Sequence, residues 1–149
     1  MHSIKNYKLI LASASPRRQQ LMKDAGFTFE VRLKNVEEKY PQELHLENVP
    51  EYLSKVKASA FREELKADEV LITADTVVCI HDRILGKPAD RKEAISMLQE
   101  LSGNRHLVVT GVSVTTRTEQ LSFSSRTDVF FKHLSNEEIE FYVDTYKPF

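Results

Sequence analysis

The pattern of apolar and polar positions along the chain alternates between buried strands and amphipathic helices. The first apolar run, residues 9–12, has the composition of a buried strand. It leads into Ser-Ala-Ser-Pro-Arg-Arg and then into a helical pattern that we expect to end at Gly26. Ser15 is a favourable N-cap, and Pro16 fits the first helical position. This segment therefore predicts a strand, a tight turn and a helix.

The next segments predict a second strand, a loop and a helix with one unusual residue. Residues 27–33 alternate apolar and polar side chains, which indicates a half-buried strand, and residues 35–41 have no period and predict a loop. Residues 50–65 have helical spacing, with Lys57 inside the apolar arc. Burying an unpaired ammonium is costly, so Lys57 either extends along the core edge into water or meets an anion in a cleft.

The longest apolar run, residues 70–80, is typical of a strand covered on both faces and so favours an α/β fold. Asp75 interrupts this run. A buried carboxylate needs strong partners or a metal, because burial otherwise raises its pKa until it becomes neutral. Asp75 is therefore either a structural aspartate bonded to backbone N–H groups or part of a functional site.

The rest of the chain predicts a hairpin, two helices and two long strands. Residues 81–83 predict a turn, and residues 84–85 lead into a Gly-Lys-Pro loop that does not match a Walker sequence. Asp90 is expected to cap a helix that Gly103 ends. The later elements are antiparallel strands over residues 107–116 and 121–134, with His106 at the start of the first, and a last helix opened by the capping box Ser135 to Glu138.

Composition and charge restrict the class of protein. A chain of 149 residues with one cysteine suits a single domain without an internal disulfide, in a reducing compartment. Its 21 basic and 22 acidic residues give a net charge of −1, which argues against a nucleic-acid polymer as partner. With no apolar run long enough to cross a membrane and no signal-peptide core, we expect a cytoplasmic protein without membrane contact.

The candidate chemistry is that of a polyphosphate bound with a metal ion. Serine hydroxyls, helix N–H groups and guanidinium groups can bind phosphate oxygens, and carboxylates can hold Mg²⁺ or Mn²⁺. Taken singly, four of the candidates also fit solvated surface positions: Arg17, Arg18, Glu38 and Lys87. The phosphate-binding candidates are Ser13, Arg17, Arg18, Lys57 and Lys87, and the metal-binding candidates are Glu38 and Asp75.

A resemblance to a known family rests on a series of motifs that covers nearly the whole chain in order. The motifs are Leu-Ile-Leu-Ala-Ser-Ala-Ser-Pro-Arg-Arg at residues 9–18, Lys-Ala at 57–58, Ala-Asp-Thr-Val-Val at 74–78, Gly-Lys-Pro at 86–88, Leu-Ser-Gly at 101–103 followed by His106, and Thr-Gly-Val at 110–112. Together they strongly resemble the Maf family of nucleoside triphosphate pyrophosphatases.

The resemblance implies an α/β fold of the Maf/ITPase-like kind, with a long mixed, twisted sheet flanked by helices and two lobes around a central cleft. It implies hydrolysis of a nucleoside triphosphate to the monophosphate and pyrophosphate with a divalent metal, usually by a homodimer. Matched by position, the resemblance implies that the phosphates are bound by Ser13, Arg17, Lys57 and Lys87. Asp75 matches the general base or metal ligand, and Glu38 matches the loop glutamate near the metal. Arg18 and Thr76 match the residues that help select the nucleotide base.

Pro-Arg-Arg after the second serine is similar to the branch of the family that acts on dTTP and UTP. The alternatives are the branch that acts on 7-methyl-GTP and a non-catalytic nucleotide-binding regulator of cell division. We expect one Maf-like domain over residues 1–149 that lacks the family's C-terminal segment, which carries a glutamine that contacts the base.

Overall fold

The computed structural model describes residues 7–148, which form an α/β fold. These residues form two compact units. The first comprises the described residues up to Thr76 together with Thr110–Ser125, and the second comprises Val77–Val109 and the described residues from Arg126 onward. The elements in chain order are β1 (Lys8–Leu11), α1 (Pro16–Asp24), β2 (Phe29–Val31), α2 (Val49–Ser59), β3 (Glu69–Ile80), β4 (Arg83–Leu85), α3 (Arg91–Leu101), β5 (Arg105–Thr115), β6 (Gln120–Phe130) and α4 (Asn136–Tyr146).

The strands form one mixed sheet in the order β2-β1-β3-β5-β6, with β4 paired to β3. Strand β1 runs parallel to β2 and to β3, and β4 runs antiparallel to β3. The register pairs Leu11 with Val31 on one side and with Ile72 on the other. The predicted α/β class with a long mixed sheet is confirmed.

Helix α2 covers one face of the sheet in the first unit. Its buried core joins residues of β1, β3, α2 and the turn after α2: Ile10, Leu71, Ala58, Phe61 and Leu65. Successive side chains of a strand point to opposite faces, so Leu71, Thr73 and Asp75 share one face of β3. Thr73 Oγ1 donates to the backbone oxygen of Ser54 at 2.7 Å, which identifies this face as the one against α2.

The second unit has its own core, in which α3 packs against α4 through Ala94, Ile139 and Val143. Both helices begin as predicted. Asp90 Oδ1 accepts from the N–H of Glu93 at 2.8 Å, and Ser135 and Glu138 form a complete capping box.

His106 lies in β5 of the second unit and is buried, with its ring edge-on to Phe131 at 5.0 Å between centroids. Burial lowers the pKa of its imidazole, which is therefore neutral at pH 7. Its place in β5 agrees with the prediction of a residue at the entry to a strand.

Three predicted elements differ in length from those observed. Strand β2 is shorter than residues 27–33 because it is an edge strand with one neighbour, and Leu33 is 60% exposed. Helix α2 ends at Ser59, and a 3-10 turn, Arg62–Glu64, follows it. Phe61 and Leu65 are four residues apart, a spacing that is typical of one face of a helix. In the structure both side chains are buried in the core although the residues between them form a 3-10 turn. Strand β6 ends at Phe130, four residues before the predicted end.

Turn and cap positions agree closely with the sequence. His81 and Asp82 form the tight turn between β3 and β4, with φ of 51° and 60°. Gly26 and Gly103 each follow the cap residue of a helix, with φ of 85° and 68°. Within residues 7–148, no helix is both long and apolar enough to span a membrane.

Gly111 provides a test of how β5 packs against α2. A Cβ at this position would lie 2.5 Å from the Glu51 Cα and closer still to the backbone of Pro50. We expect Gly111→Ala to lower the free energy of unfolding by about 2 kcal/mol or more, because backbone atoms must move to admit the methyl group. Urea unfolding followed by circular dichroism measures the change.

The matched control is Gly86→Ala, because a Cβ at Gly86 would have no heavy atom within 4 Å. It should change the midpoint of unfolding little. Equal stability of the Gly111→Ala variant and the wild type would contradict the close packing of β5 on the start of α2.

Candidate functional site

A pocket of about 450 Å³ in the first unit lies where β1 and β2 end. Four of the predicted site residues line it: Ser13, Arg18, Glu38 and Lys57. The sheet explains this grouping, because β1 and β2 are parallel neighbours and the loops after their carboxyl ends leave the same edge.

The turn from β1 to α1 is held by its own serine hydroxyls. Ser13 Oγ accepts from the N–H of Ser15 at 3.2 Å, and Ser15 Oγ accepts from the N–H of Arg18 at 3.3 Å. The N–H groups of Ser15 and Arg18 therefore donate hydrogen bonds within the turn and not to a ligand. The Ser13 hydroxyl proton is still available to donate, because its oxygen acts here as an acceptor.

The ammonium of Lys57 binds three oxygen atoms. Its Nζ lies 3.0 Å from Asp75 Oδ1, 3.1 Å from Glu38 Oε1 and 3.1 Å from the backbone oxygen of Ala74. The ammonium donates hydrogen bonds to Asp75 Oδ1 and to the Ala74 oxygen, and it forms an ion pair with Glu38. Of the two interpretations left open by the sequence, the structure supports the second, in which the head of Lys57 meets anions.

Asp75 reaches Lys57 because β3 continues beyond the end of β1. The last pair between these strands is Leu11 with Ile72, so residues 74–76 extend past the edge of β1. The alternation of side chains places Asp75 on the face of β3 covered by α2, which carries Lys57.

The environment of Asp75 raises the pKa of its carboxyl group. Burial is the main cause, and the Glu38 carboxylate adds to it, whereas the hydrogen bond from Lys57 and the charge of Arg18 act in the opposite direction. The side chain of Asp75 is 13% exposed. A carboxylate whose pKa is raised in this way is a better acceptor of a proton from water than an ordinary aspartate.

Arg18 is fixed by two neutral oxygens. Its Nη1 donates to the backbone oxygen of Ala74 at 3.3 Å, and its Nη2 donates to Thr76 Oγ1 at 3.0 Å. The Ala74 oxygen therefore accepts from both Arg18 and Lys57. Ser13, Arg18, Glu38, Lys57, Asp75 and Thr76 thus form one connected group within the first unit.

The structure does not bring the two remaining predicted residues into this group. Arg17 lies in the first turn of α1 with its side chain exposed and is not among the pocket-lining residues. Lys87 lies in the loop after β4, in the second unit, and is also exposed. Their roles in phosphate binding stay predictions.

The donor set for a metal ion is small. Residues 7–148 contain no group of three or more His, Cys, Asp or Glu side chains that could hold a metal. Glu38 and Asp75 are nevertheless close, since both bind the same ammonium. Mg²⁺ is commonly held by one or two carboxylates together with phosphate oxygens of a ligand, so two carboxylates are enough for an ion of that kind.

Two polar residues that line the pocket, Lys34 and Asn35, were not predicted from the sequence as site residues. The Lys34 ammonium donates to the backbone oxygen of Ala60 at 2.9 Å, pairs with Glu64 and lies 5.2 Å from the centre of the Phe61 ring. The position of Lys34 and Asn35 shortly after β2 could have identified them, because loops at the carboxyl ends of parallel strands form binding sites.

Comparison with known proteins gives matches along nearly the whole chain. A family described as "Maf-like protein" matches residues 8–149. The dTTP/UTP pyrophosphatase of Bacteroides thetaiotaomicron is 48% identical over 147 residues, which are 98% of this chain and 76% of that protein. The dTTP/UTP pyrophosphatase of Flavobacterium johnsoniae is 45% identical over 146 residues, which are 98% of this chain and 75% of that protein.

Among solved structures, the Ham1 protein of Staphylococcus aureus superposes with a TM-score of 0.60. The match covers 83% of this chain and 71% of that chain at 16% identity. At this identity the likeness concerns the fold alone, and it agrees with the α/β architecture described above.

The raised pKa of Asp75 predicts that its charge lowers the stability of the fold. Because the folded state holds this proton more tightly than the unfolded chain, stability is lost as the pH rises through the folded pKa. We expect Asp75→Asn to raise the melting temperature at pH 8, since asparagine has no charge to desolvate and can still accept from Lys57. This increase in melting temperature should become smaller as the pH falls from the raised pKa of folded Asp75 towards the ordinary pKa of an aspartate.

Differential scanning fluorimetry at several pH values measures this change. Asp68→Asn is the control, because Asp68 is exposed in the turn before β3. A melting temperature of Asp75→Asn below that of the wild type at every pH would contradict the unfavourable burial of this charge.

Proposed function

Because the chain belongs to the family of Maf-like proteins, we propose that it is a nucleoside triphosphate pyrophosphatase that hydrolyses dTTP and UTP to the monophosphate and pyrophosphate. The observation that carries this proposal is the 45–48% identity, over 98% of the chain, to relatives named dTTP/UTP pyrophosphatase. The site supplies groups suited to the reaction, namely cationic side chains and a serine hydroxyl on one pocket, with the largely buried carboxylate of Asp75 bonded to one of those cations, Lys57.

The proposed reaction is attack of water on the α-phosphorus. The bond between this phosphorus and the oxygen bridging to the β-phosphorus breaks, and pyrophosphate leaves. Asp75 accepts the proton of the attacking water, a task that suits the raised pKa of its carboxyl. Cations that stabilise charge on the leaving group provide much of the rate enhancement in phosphoryl transfer.

The connected side chains divide the remaining work. The Ser13 hydroxyl and Arg18 donate to phosphate oxygens, and Lys57, beside Asp75, stabilises the charge of the polyphosphate. Arg17 and Lys87 would add positive charge to the leaving pyrophosphate. Arg18 and Thr76 would also contact the base and so favour a pyrimidine.

The proposal includes Mg²⁺ or Mn²⁺ held by Glu38 and Asp75 together with the phosphates. When bound, such an ion neutralises phosphate charge and makes the α-phosphorus a better electrophile. We also propose a cytoplasmic homodimer, which light scattering of the purified protein and fractionation of cells would test.

The direct test is release of pyrophosphate from a panel of nucleotides, dTTP, UTP, CTP, GTP and 7-methyl-GTP, with Mg²⁺ or Mn²⁺ present. We expect release from dTTP and UTP above all others. Activity on 7-methyl-GTP alone would assign the chain to the other branch. Binding of nucleotide without release of pyrophosphate with either metal would instead support a non-catalytic regulator.

In the same assay, Asp75→Asn is expected to lower kcat by about 100-fold or more, because it removes the proton acceptor. Nucleotide affinity, measured by calorimetry, should change little. Asp68→Asn is again the matched control and should retain full turnover. Near-normal turnover of the Asp75→Asn variant would exclude Asp75 as the base.

Lys57 generates a separate prediction about the metal. Its ammonium neutralises the two carboxylates of the free protein, so a divalent ion that arrives without nucleotide has to compete with it. We expect Lys57→Met to bind Mn²⁺ about tenfold more tightly than the wild type in the absence of nucleotide. Electron paramagnetic resonance of free Mn²⁺ measures this affinity.

The control is Lys34→Met, which removes a cation from the same pocket that is bonded to Ala60 and Glu64 rather than to Glu38 and Asp75. Its affinity for Mn²⁺ should match that of the wild type. If Lys57→Met also matches the wild type, Lys57 does not compete for the position between the two carboxylates.

A further inference from the structure

A chain of hydrogen bonds leads from the pocket to a strand that does not line it. Arg18 lines the pocket, and its Nη2 lies 3.0 Å from Thr76 Oγ1. Thr76 Oγ1 in turn lies 2.9 Å from Oγ1 of Thr110, which is part of β5. Thr110 is thus two hydrogen bonds away from the guanidinium of a residue that lines the pocket.

The donor pattern shows why the second hydrogen bond matters. A guanidinium can only donate, so Thr76 Oγ1 is the acceptor for Arg18. The hydroxyl of Thr76 then either donates its own proton to Thr110 or accepts the proton of Thr110. In both cases its oxygen has a partner on each side, which restricts the side chain of Thr76 to one rotamer and directs a lone pair at Arg18.

The hydrogen-bond partners that hold Arg18 in place are neutral oxygens. Within residues 7–148 this arginine makes no ion pair, and its two fixed partners, the Ala74 backbone oxygen and the Thr76 hydroxyl, carry no net charge. Lys57, by contrast, binds two carboxylates. A positive group anchored by neutral oxygens remains attractive to an anion or to a carbonyl oxygen of a ligand.

The position of Thr110 is itself fixed by packing. Its neighbour Gly111 lies so close to the backbone of Pro50 and Glu51 that there is no room for a Cβ. β5 is also the neighbour of β3, the strand that carries Thr76. Thr110 is therefore a rigid support for a hydroxyl on the adjacent strand.

We propose that Thr110 is a positioning residue for nucleotide binding, which acts through Thr76 to hold the guanidinium of Arg18 towards the pocket. The inference rests on the proposed function for the identity of the ligand, a nucleoside triphosphate. It assigns to the Thr110 hydroxyl a role in substrate affinity rather than in the chemical step.

The test compares Thr110→Val, which removes the hydroxyl at nearly constant shape, with Thr110→Ser, which keeps it. We expect Thr110→Val to raise KM for dTTP and UTP about three- to tenfold while kcat stays within about twofold, because a single neutral hydrogen bond is lost. Thr110→Ser should restore KM to near the wild-type value. Thr127→Val, on an exposed position of β6, should leave both constants unchanged.

A double-mutant cycle separates positioning from a general loss of structure. If Thr110 acts through Thr76, the double variant Thr76→Val with Thr110→Val should have the same KM as Thr76→Val alone. Additive increases in KM would overturn the proposal, as would an unchanged KM in Thr110→Val. So would a Thr110→Ser variant as impaired as Thr110→Val, since that would assign the effect to the methyl group.

Calorimetric titration with the α,β-imido analogue of dUTP, which cannot be cleaved between its α- and β-phosphates, keeps the two proposals distinguishable. A wild-type chain that binds the analogue but releases no pyrophosphate from dTTP or UTP overturns the enzymatic function. The weaker binding of Thr110→Val would still support the positioning role. A wild-type chain that binds no nucleotide overturns both.

Discussion

The interaction on which the site depends is the contact of one ammonium with two carboxylates and a backbone oxygen. Lys57 allows Glu38 and Asp75 to lie close together in a partly buried place, because its positive charge offsets their mutual repulsion. The contact requires α2 to pack on β3. The face of β3 that α2 covers is also the face that buries Leu71, against Ala58 of α2 and Phe61 of the turn that follows. The helix that completes the core of the first unit therefore also determines the charge arrangement of the pocket.

The two cations of the connected group differ in how their charges are balanced. The ammonium of Lys57 forms ion pairs with two carboxylates, whereas the guanidinium of Arg18 donates hydrogen bonds to the neutral Ala74 oxygen and Thr76 hydroxyl. The two side chains meet at the single backbone oxygen of Ala74, next to the carboxylate whose pKa is raised. A carboxyl with a raised pKa and a guanidinium held by neutral oxygens thus lie next to the same backbone oxygen, an arrangement that the proposed hydrolysis would use.

Local elements followed directly from the sequence because their causes are local. The cap at Ser15, the capping box at Ser135 and the turn at His81 and Asp82 depend on residues within four positions of each other. The lengths of the helices and strands were less predictable. The spacing of Phe61 and Leu65, for example, allows both side chains to be buried either by a longer α2 or by the 3-10 turn that is observed. Lys34 and Asn35 were missed because a pocket residue after a strand carries no periodic signal, and only the parallel pairing of β1 and β2 gives it meaning.

The order of residues was enough to predict the α/β class, the starts of the helices and the residue types of a polyphosphate site, because apolar spacing, capping chemistry and charge are properties of short segments. It also showed that Lys57 and Asp75 were out of place in apolar surroundings. The folded chain was needed to show that these two are each other's partners, that Arg18 is bonded to β3, and that Thr110 is hydrogen-bonded to Thr76. The reason is that such contacts join residues 18 to 58 positions apart, and their geometry depends on strand order, register and the face that each helix covers.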